Sequence, residues 1–252
     1  MPIDYARRLT GRSRTAAGNR QLGWALAFIA GATNAGAFLA VRQYTSHMTG
    51  IVSSMADSLV LGDIRTAIAA FGALLSFLSG AAVSAILVNC ARRRQLQSEF
   101  ALPLLLEAAL LLVFGLLGAW LSEVRSLFVP VTVMLLCFMM GLQNAVITKV
   151  SRSEIRTTHV TGLVTDIGIG LGKLLYWNRI QMDPRLRVSA DRRRLTVLSL
   201  LMLGFFVGGV VGALGFQQLG YAMTVPLAVI LIVLAGVPAA DDIRAYFDKP
   251  RG

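Results

Sequence analysis

Leu22–Val41 reads LGWALAFIAGATNAGAFLAV. It holds no charged residue, and at ~1.5 Å rise per residue its twenty positions cover the ~30 Å of a bilayer core. Five further runs are comparably long and apolar, with Glu107 their one charged residue: Thr66–Cys90, Ala101–Leu121, Leu127–Thr148, Leu195–Gln217 and Tyr221–Pro238. The chain is 56% hydrophobic and 15% charged, where a soluble domain carries about a quarter charged residues. Almost nothing remains for a soluble core. The runs predict an all-α integral membrane protein with six transmembrane helices. A basic tail (1–20) precedes a single membrane domain (21–240), and a short tail (241–252) follows it. The first run is preceded by a polar tail and has no small-x-small cleavage site after it, so it reads as an anchor that is kept.

A net charge of +11 raises the question of nucleic acid. The distribution answers it. The two tails, the loop after the second run and the loop 149–194 together hold 21 of the Lys and Arg residues, and the alternate loops hold only Arg42, Arg65 and Arg125. Positive charge that alternates with every span marks the cytoplasmic side. Both termini are therefore expected in the cytoplasm, anionic lipid headgroups are the expected partners there, and no nucleic-acid partner is expected. The two cysteines, Cys90 and Cys137, sit in apolar segments and form neither a disulfide framework nor a metal site.

The phrase Gly31-Ala-Thr-Asn34-Ala35 inside the opening stretch returns as Gly141-Leu142-Gln143-Asn144-Ala145. The only two histidines follow these phrases in matching settings, His47-Met48-Thr49-Gly50 and His159-Val160-Thr161-Gly162. Small residues then recur every four positions, Gly72, Ser76, Gly80 and Ser84 in the second run, and Gly204, Gly208 and Gly212 in the fifth. Such spacing stacks them on one helix face and lets another backbone approach. The two ladders are expected to meet each other, or to face the first and fourth spans. The order of features divides the chain into a three-span unit, 21–122, and its copy, 127–240. Three is odd, so the copy enters the membrane from the other side. The result is an inverted repeat, a construction common among secondary transporters.

A short apolar to amphipathic helix is expected after each histidine phrase, over Ile51–Gly62 and Leu163–Trp177, and each is too short to span easily. Two placements fit, one flat on the interface and one re-entrant into the bundle. Thr-Gly ahead of a helix favours the second, with threonine capping free N–H groups and glycine allowing close approach. The histidines fit metal ligation, proton handling or structural capping, and lone histidines on opposite faces without other ligands argue against a metal. Asp57 and Asp166 lie on the short segments, and Glu107 is the one acidic residue inside a span, where a carboxylate is costly and reads as functional. Asn34, Gln143 and Asn144 either line a path or bond helix to helix. The candidate solute or ion path is thus Asn34, His47, Thr49, Gly50, Asp57, Glu107, Gln143, Asn144, His159, Thr161, Gly162 and Asp166.

Asn34–Leu39, the HMTG phrase, Leu104-Leu-Leu-Glu107-Ala, Gly141–Ala145 and Arg156-Thr-Thr-His159-Val-Thr-Gly162-Leu-Val-Thr-Asp166 together resemble the YoaK-like family of bacterial inner-membrane proteins, a domain of unknown function with six spans. The resemblance implies a bacterial plasma-membrane protein and supplies no substrate. The chain departs from the family pattern at Asn34, where an acidic residue is usual, and at Ile51, where asparagine is usual. Neither H-E-x-x-H, G-x-S-x-G nor a Walker loop occurs, so no enzyme and no cofactor is expected. A transporter or channel for a small solute or ion is the leading function. A structural or regulatory membrane protein is the alternative.

Overall fold

The computed structural model describes residues 16–96, 99–121, 125–150, 160–176 and 188–247. The described residues are helical, without strands. In chain order the elements are α1 (Ala16–Val41), α2 (Met48–Val60), α3 (Ile64–Arg93), α4 (Ala101–Leu121), α5 (Arg125–Val150), α6 (Val160–Leu175), α7 (Arg192–Leu219) and α8 (Thr224–Phe247), with a 3₁₀ turn, Gly220–Met223, before α8. Five segments among them are long and apolar enough to cross a membrane, the last of which runs 45 residues through α7, the 3₁₀ turn and most of α8. Exposed apolar side chains, including Ile68, Phe71, Leu78, Leu203, Phe206 and Leu214, line the outer surfaces of α3 and α7. A surface of that size calls for lipid rather than water. This is a multi-pass membrane protein.

Local chemistry explains where the helices stop. α1 ends where Arg42 takes a positive φ of 56°, closing the helix with its N–H on the Phe38 carbonyl at 2.9 Å. Gly62, at φ 74°, makes the three-residue turn between α2 and α3. Asp63 and Asp191 cap α3 and α7 in the same way, accepting the N–H of Thr66 at 3.1 Å and of Arg194 at 3.0 Å. Hydrogen bonding from the Thr66 side chain, and then from its N–H, holds the Asp63 carboxyl below its ordinary range. Pro103 stands in the first turn of α4, where a missing N–H leaves no bond unmade.

The packing turns on two pairs of Phe-x-x-Gly sequences. Phe28-Ile-Ala-Gly31 in α1 faces Phe205-Phe-Val-Gly208 in α7, and a methyl group added at either glycine would overlap the carbonyl oxygen of the opposite phenylalanine. Phe138-Met-Met-Gly141 in α5 and Phe77-Leu-Ser-Gly80 in α3 form the same reciprocal lock. Backbones this close gain dispersion contacts and Cα–H···O contacts that no larger residue allows. Gly204, Gly208 and Gly212 meet Trp24, Phe28 and Ala32 in ascending order, so α1 and α7 run parallel. Gly72 and Gly80 meet Met134 and Phe138, so α3 and α5 also run parallel. Gly115 and Gly118 meet Thr224 and Tyr221 in descending order, which makes α4 and α8 antiparallel. Each small-residue ladder therefore lies against α1 or α5 rather than against the other ladder. Ser84 is buried with them, while Gly72 and Ser76 are half-buried.

The centre of the bundle is α1, α4 and α5. The series of buried, half-buried and exposed positions from Gln21 to Phe38 recurs without change from Val131 to Thr148. At one end, Phe114, Phe128, Phe216 and Tyr221 meet tilted or edge to face with ring centroids 5.7–6.1 Å apart, tying α4, α5 and α7 to the 3₁₀ turn. Aromatic contacts of this geometry add about 0.5–1.5 kcal/mol each beyond burial.

Candidate functional site

The chain beyond α1 folds back on it. The Ser46 hydroxyl donates to Asn34 Oδ1 at 3.0 Å, and Tyr44 stacks on Phe38 with centroids 4.7 Å apart. Asn34 lies seven residues before the end of α1, so the connection has returned ~10 Å along the helix before α2 begins. α2 then runs out alongside α3 to the Gly62 turn. Ile51 packs with Ala70 and Ala73 against Val133 and Cys137 of α5.

The histidine phrase is built differently from the cap expected of it. His47 is the capping residue by position, its side chain makes no capping bond, and α2 already starts at Met48. Thr49 and Gly50 therefore lie inside the first turn and do not cap it. A methyl group on Gly50 would sit 2.6 Å from His47 Nδ1, so glycine leaves the space the imidazole occupies over the first turn. Thr161 and Gly162 likewise fall within the first turn of α6, and the Thr161 carbonyl accepts the Thr165 hydroxyl at 2.8 Å. His159 lies outside the described residues.

A cavity of about 550 Å³ opens between α2, α3 and α5. Arg42, Gln43, Tyr44, His47, Ser54 and Thr66 supply its polar lining, and alanines of α3 with Val129 and Val133 of α5 supply its apolar floor. The Arg42 guanidinium stands 6.0 Å from the Phe38 ring centre. A second cavity of about 480 Å³ runs along α1 and α7 past Gly31, Asn34 and Phe205, and reaches Val160 at the start of α6. Tyr44 lines both. A third, of about 120 Å³, lies between α6 and α7 beside Asp166, Lys173, Asp191 and Arg194. There Arg194 Nη2 donates to Asp166 Oδ2 at 3.1 Å.

Polar groups of the bundle interior form no single cluster with these cavities. Glu107 is fully buried, and neither carboxylate oxygen has a partner among the described residues. Gln143 donates from Nε2 to the Leu26 carbonyl at 3.2 Å, and among the described residues its Oε1 and the buried Asn144 Oδ1 have no partner. Asp57 is exposed and lines no cavity described here. Among the described residues no group of three or more His, Cys, Asp or Glu side chains stands close enough to hold a metal ion.

The structure thus joins Asn34 to the loop before α2, and His47 and Gly50 to an open cavity. It leaves Glu107 separate and pairs Asp166 with a cation. Arg42, Tyr44, Ser46, Ser54 and Arg194 were absent from the sequence-based site. Arg42 carried a signal, since it is one of only three cations in the alternate loops and stands five residues before His47.

One prediction arises here. Gly50→Ala is expected to push the His47 ring out of its seat. With His159→Asn in the background, His47 should then react several-fold faster with diethyl pyrocarbonate. An unchanged rate would mean that the ring is not held by the first turn.

Residues 22–237 match a family model described as "Protein of unknown function (DUF1275)". No curated protein and no solved structure matches the chain.

Proposed function

We propose that this chain, which belongs to the DUF1275 family of proteins of unknown function, is a transporter for a small solute or ion, built from two inverted three-span repeats. α1, α3 and α4 form one set of spans and α5, α7 and α8 the other. The antiparallel register of α4 and α8 and the parallel register of α1 and α7 support reading the 45-residue apolar segment as two crossings rather than one. The shared burial series of α1 and α5, the twin Phe-x-x-Gly locks and the matching Asp63 and Asp191 caps support the same division.

One observation carries the reading most. Each half carries a short helix after its first span, and the two helix starts lie beside two cavities that share Tyr44 in their lining. Ser46 is bonded to Asn34, and Val160 lines a cavity with Gly31, in the middle of α1. Both short helices are therefore read as re-entrant, entering from opposite faces. Irregular backbone at that depth is stable only where protein or a watery cavity surrounds it. Broken helices at equivalent places in inverted repeats are the usual setting of a solute site. The cavity beside His47 offers hydroxyl, amide and imidazole groups with a cation, above an apolar floor.

The membrane is read as a bacterial plasma membrane, with both termini and the basic loops in the cytoplasm against anionic lipid. The outer face then carries the His47 cavity. No enzymatic activity, cofactor or nucleic-acid partner belongs to this reading. The alternative, a structural or regulatory membrane protein, has no comparable observation behind it.

Purified protein in liposomes, tested with a panel of labelled small solutes chosen by their effect on thermal stability, should show protein-dependent flux of at least one. Absence of flux for every stabilising solute would end the transport reading. Reporter fusions at residues 44–48 and 156–160 are expected on opposite sides of the membrane. Placement on one side would remove the inverted repeat.

A further inference from the structure

We infer that the cavity beside His47 takes a small organic monoanion, with an anionic head, an apolar body and no ammonium group; the inference deepens the transport reading and rests on it for the anion's passage, not for its binding. Arg42 is the one permanently charged side chain that lines this cavity. The ion pairs of the described residues join Arg92 to Glu99 and Arg194 to Asp166, so no acid among them answers Arg42. Asp57, on α2, is exposed and does not line the cavity, and Asp63 is engaged as the cap of α3. The guanidinium is steadied instead by an aromatic ring. It stands 6.0 Å from the Phe38 ring centre, and Tyr44 stacks on the same ring with centroids 4.7 Å apart. A ring offers no acceptor oxygen, so the fork of N–H donors remains for a partner. That planar fork matches a carboxylate in two parallel bonds.

The start of α2 adds charge of the same sign. His47 makes no capping bond there, and Gly50 of the first turn lines the cavity. Uncapped backbone N–H groups at a helix start carry a partial positive charge. Gln43, Tyr44 and Ser54 add neutral donors. The remaining wall is apolar, with Ala69, Ala70 and Ala73 of α3 and Val129, Val133 and Met134 of α5. Its volume of about 550 Å³ suits a whole small molecule. The chemistry of the lining narrows the class further. An α-amino acid would bring an ammonium group with no carboxylate to meet it. An inorganic anion would leave the apolar wall without contacts. A head-and-tail anion satisfies both sides at once.

The test is binding to the purified full-length protein in an uncharged detergent, at neutral pH and fixed ionic strength. Titration calorimetry gives the affinity, and the thermal shift caused by a bound ligand checks it. The probes are acetate, butyrate and hexanoate, with 1-hexanol, hexylamine and the α-amino acid norleucine as matched controls. Affinity should rise about three- to fourfold with each added methylene. The three controls should bind at least about tenfold more weakly than hexanoate, the worth of a charge-assisted hydrogen bond. Arg42→Gly separates binding from folding. Arg42 holds a φ of 56°, where glycine is the usual residue. The ligand-free variant should therefore melt no lower than the parent, while hexanoate binding falls at least about tenfold. Arg42→Lys, which keeps the charge and loses the fork, should fall between them. Ala69→Phe, at an exposed position on the apolar wall, should flatten the rise from acetate to hexanoate. Failure of hexanoate to bind, equal affinity for hexanoate and hexylamine, or binding that survives Arg42→Gly would overturn the assignment. Binding of dihexanoyl phosphatidylglycerol alone would overturn it too, since the anion would then be a lipid headgroup. Hexanoate binding in this pattern without flux in liposomes would leave the site standing and end the transport reading. Flux of a cation or a neutral solute, without anion binding, would do the opposite.

Discussion

Replacing Gly80 with leucine is expected to unfold the bundle. The added side chain has no room to grow into, because its first carbon already overlaps the Phe138 carbonyl of α5. Backbone cannot swing aside as a long side chain does, so the two helices must separate. Overpacking of a fitted core costs about 1–3 kcal/mol, and the loss of a helix pair's close contact puts this site at or beyond the top of that range. Gly31→Leu, Gly141→Leu and Gly208→Leu meet the same obstacle at a carbonyl oxygen. Size-exclusion profiles and thermal unfolding in detergent would show it as lost monodisperse protein. Gly172→Ala is the control. Nothing lies within 4 Å of a methyl group there, and alanine for glycine inside a helix favours the helix by about 0.8–1 kcal/mol. A stable Gly80→Leu protein would mean that α3 and α5 do not touch as described.

Glu107→Leu is expected to do the reverse: raise stability and abolish flux. A buried polar group without a hydrogen bond costs about 1–3 kcal/mol by mutational measure, and both Glu107 oxygens are in that position among the described residues. Leu104, Ala108 and Leu111, its neighbours on the buried face of α4, are all apolar and buried, so leucine suits the surroundings. A group that is costly to the fold and kept in the bundle interior belongs to function by default. The decisive comparison is thermal unfolding beside liposome flux for Glu107→Leu and Glu107→Gln. Retained flux in both would take Glu107 off the path. A large loss of stability in both would show that the carboxyl is held by a partner.

The spans were legible from hydropathy because a bilayer demands ~20 apolar residues of any helix that crosses it. Leu22–Val41 needed nothing more. The pairing of spans was only half legible. The four-residue spacing of Gly72, Ser76, Gly80 and Ser84 says that some backbone approaches, while the choice of α5 depends on Phe138 presenting its carbonyl at the right height, which no local pattern records. The histidine phrase misled for a related reason. Thr-Gly has the composition of a helix start, yet the capping position is His47, two residues before Thr49, and Gly50 lies under its ring. Tyr44 and Arg194 are ordinary residues in sequence, and each becomes part of a cavity only when the chain turns back on α1 or α6 meets α7.

The parallel seating of α1 on α7 has a consequence for how the molecule is made. From Phe28 to its partner Gly208 the ribosome must add ~180 residues, which at ~5–20 residues per second takes of the order of ten seconds or more. For that interval the first helix sits in the lipid with the groove at Phe28, Gly31 and Ala32 empty. The first three segments translated alone therefore lack the surface that completes them, and the newborn chain depends on the insertion machinery, or on neighbouring lipids, to shelter that helix until its late partner arrives.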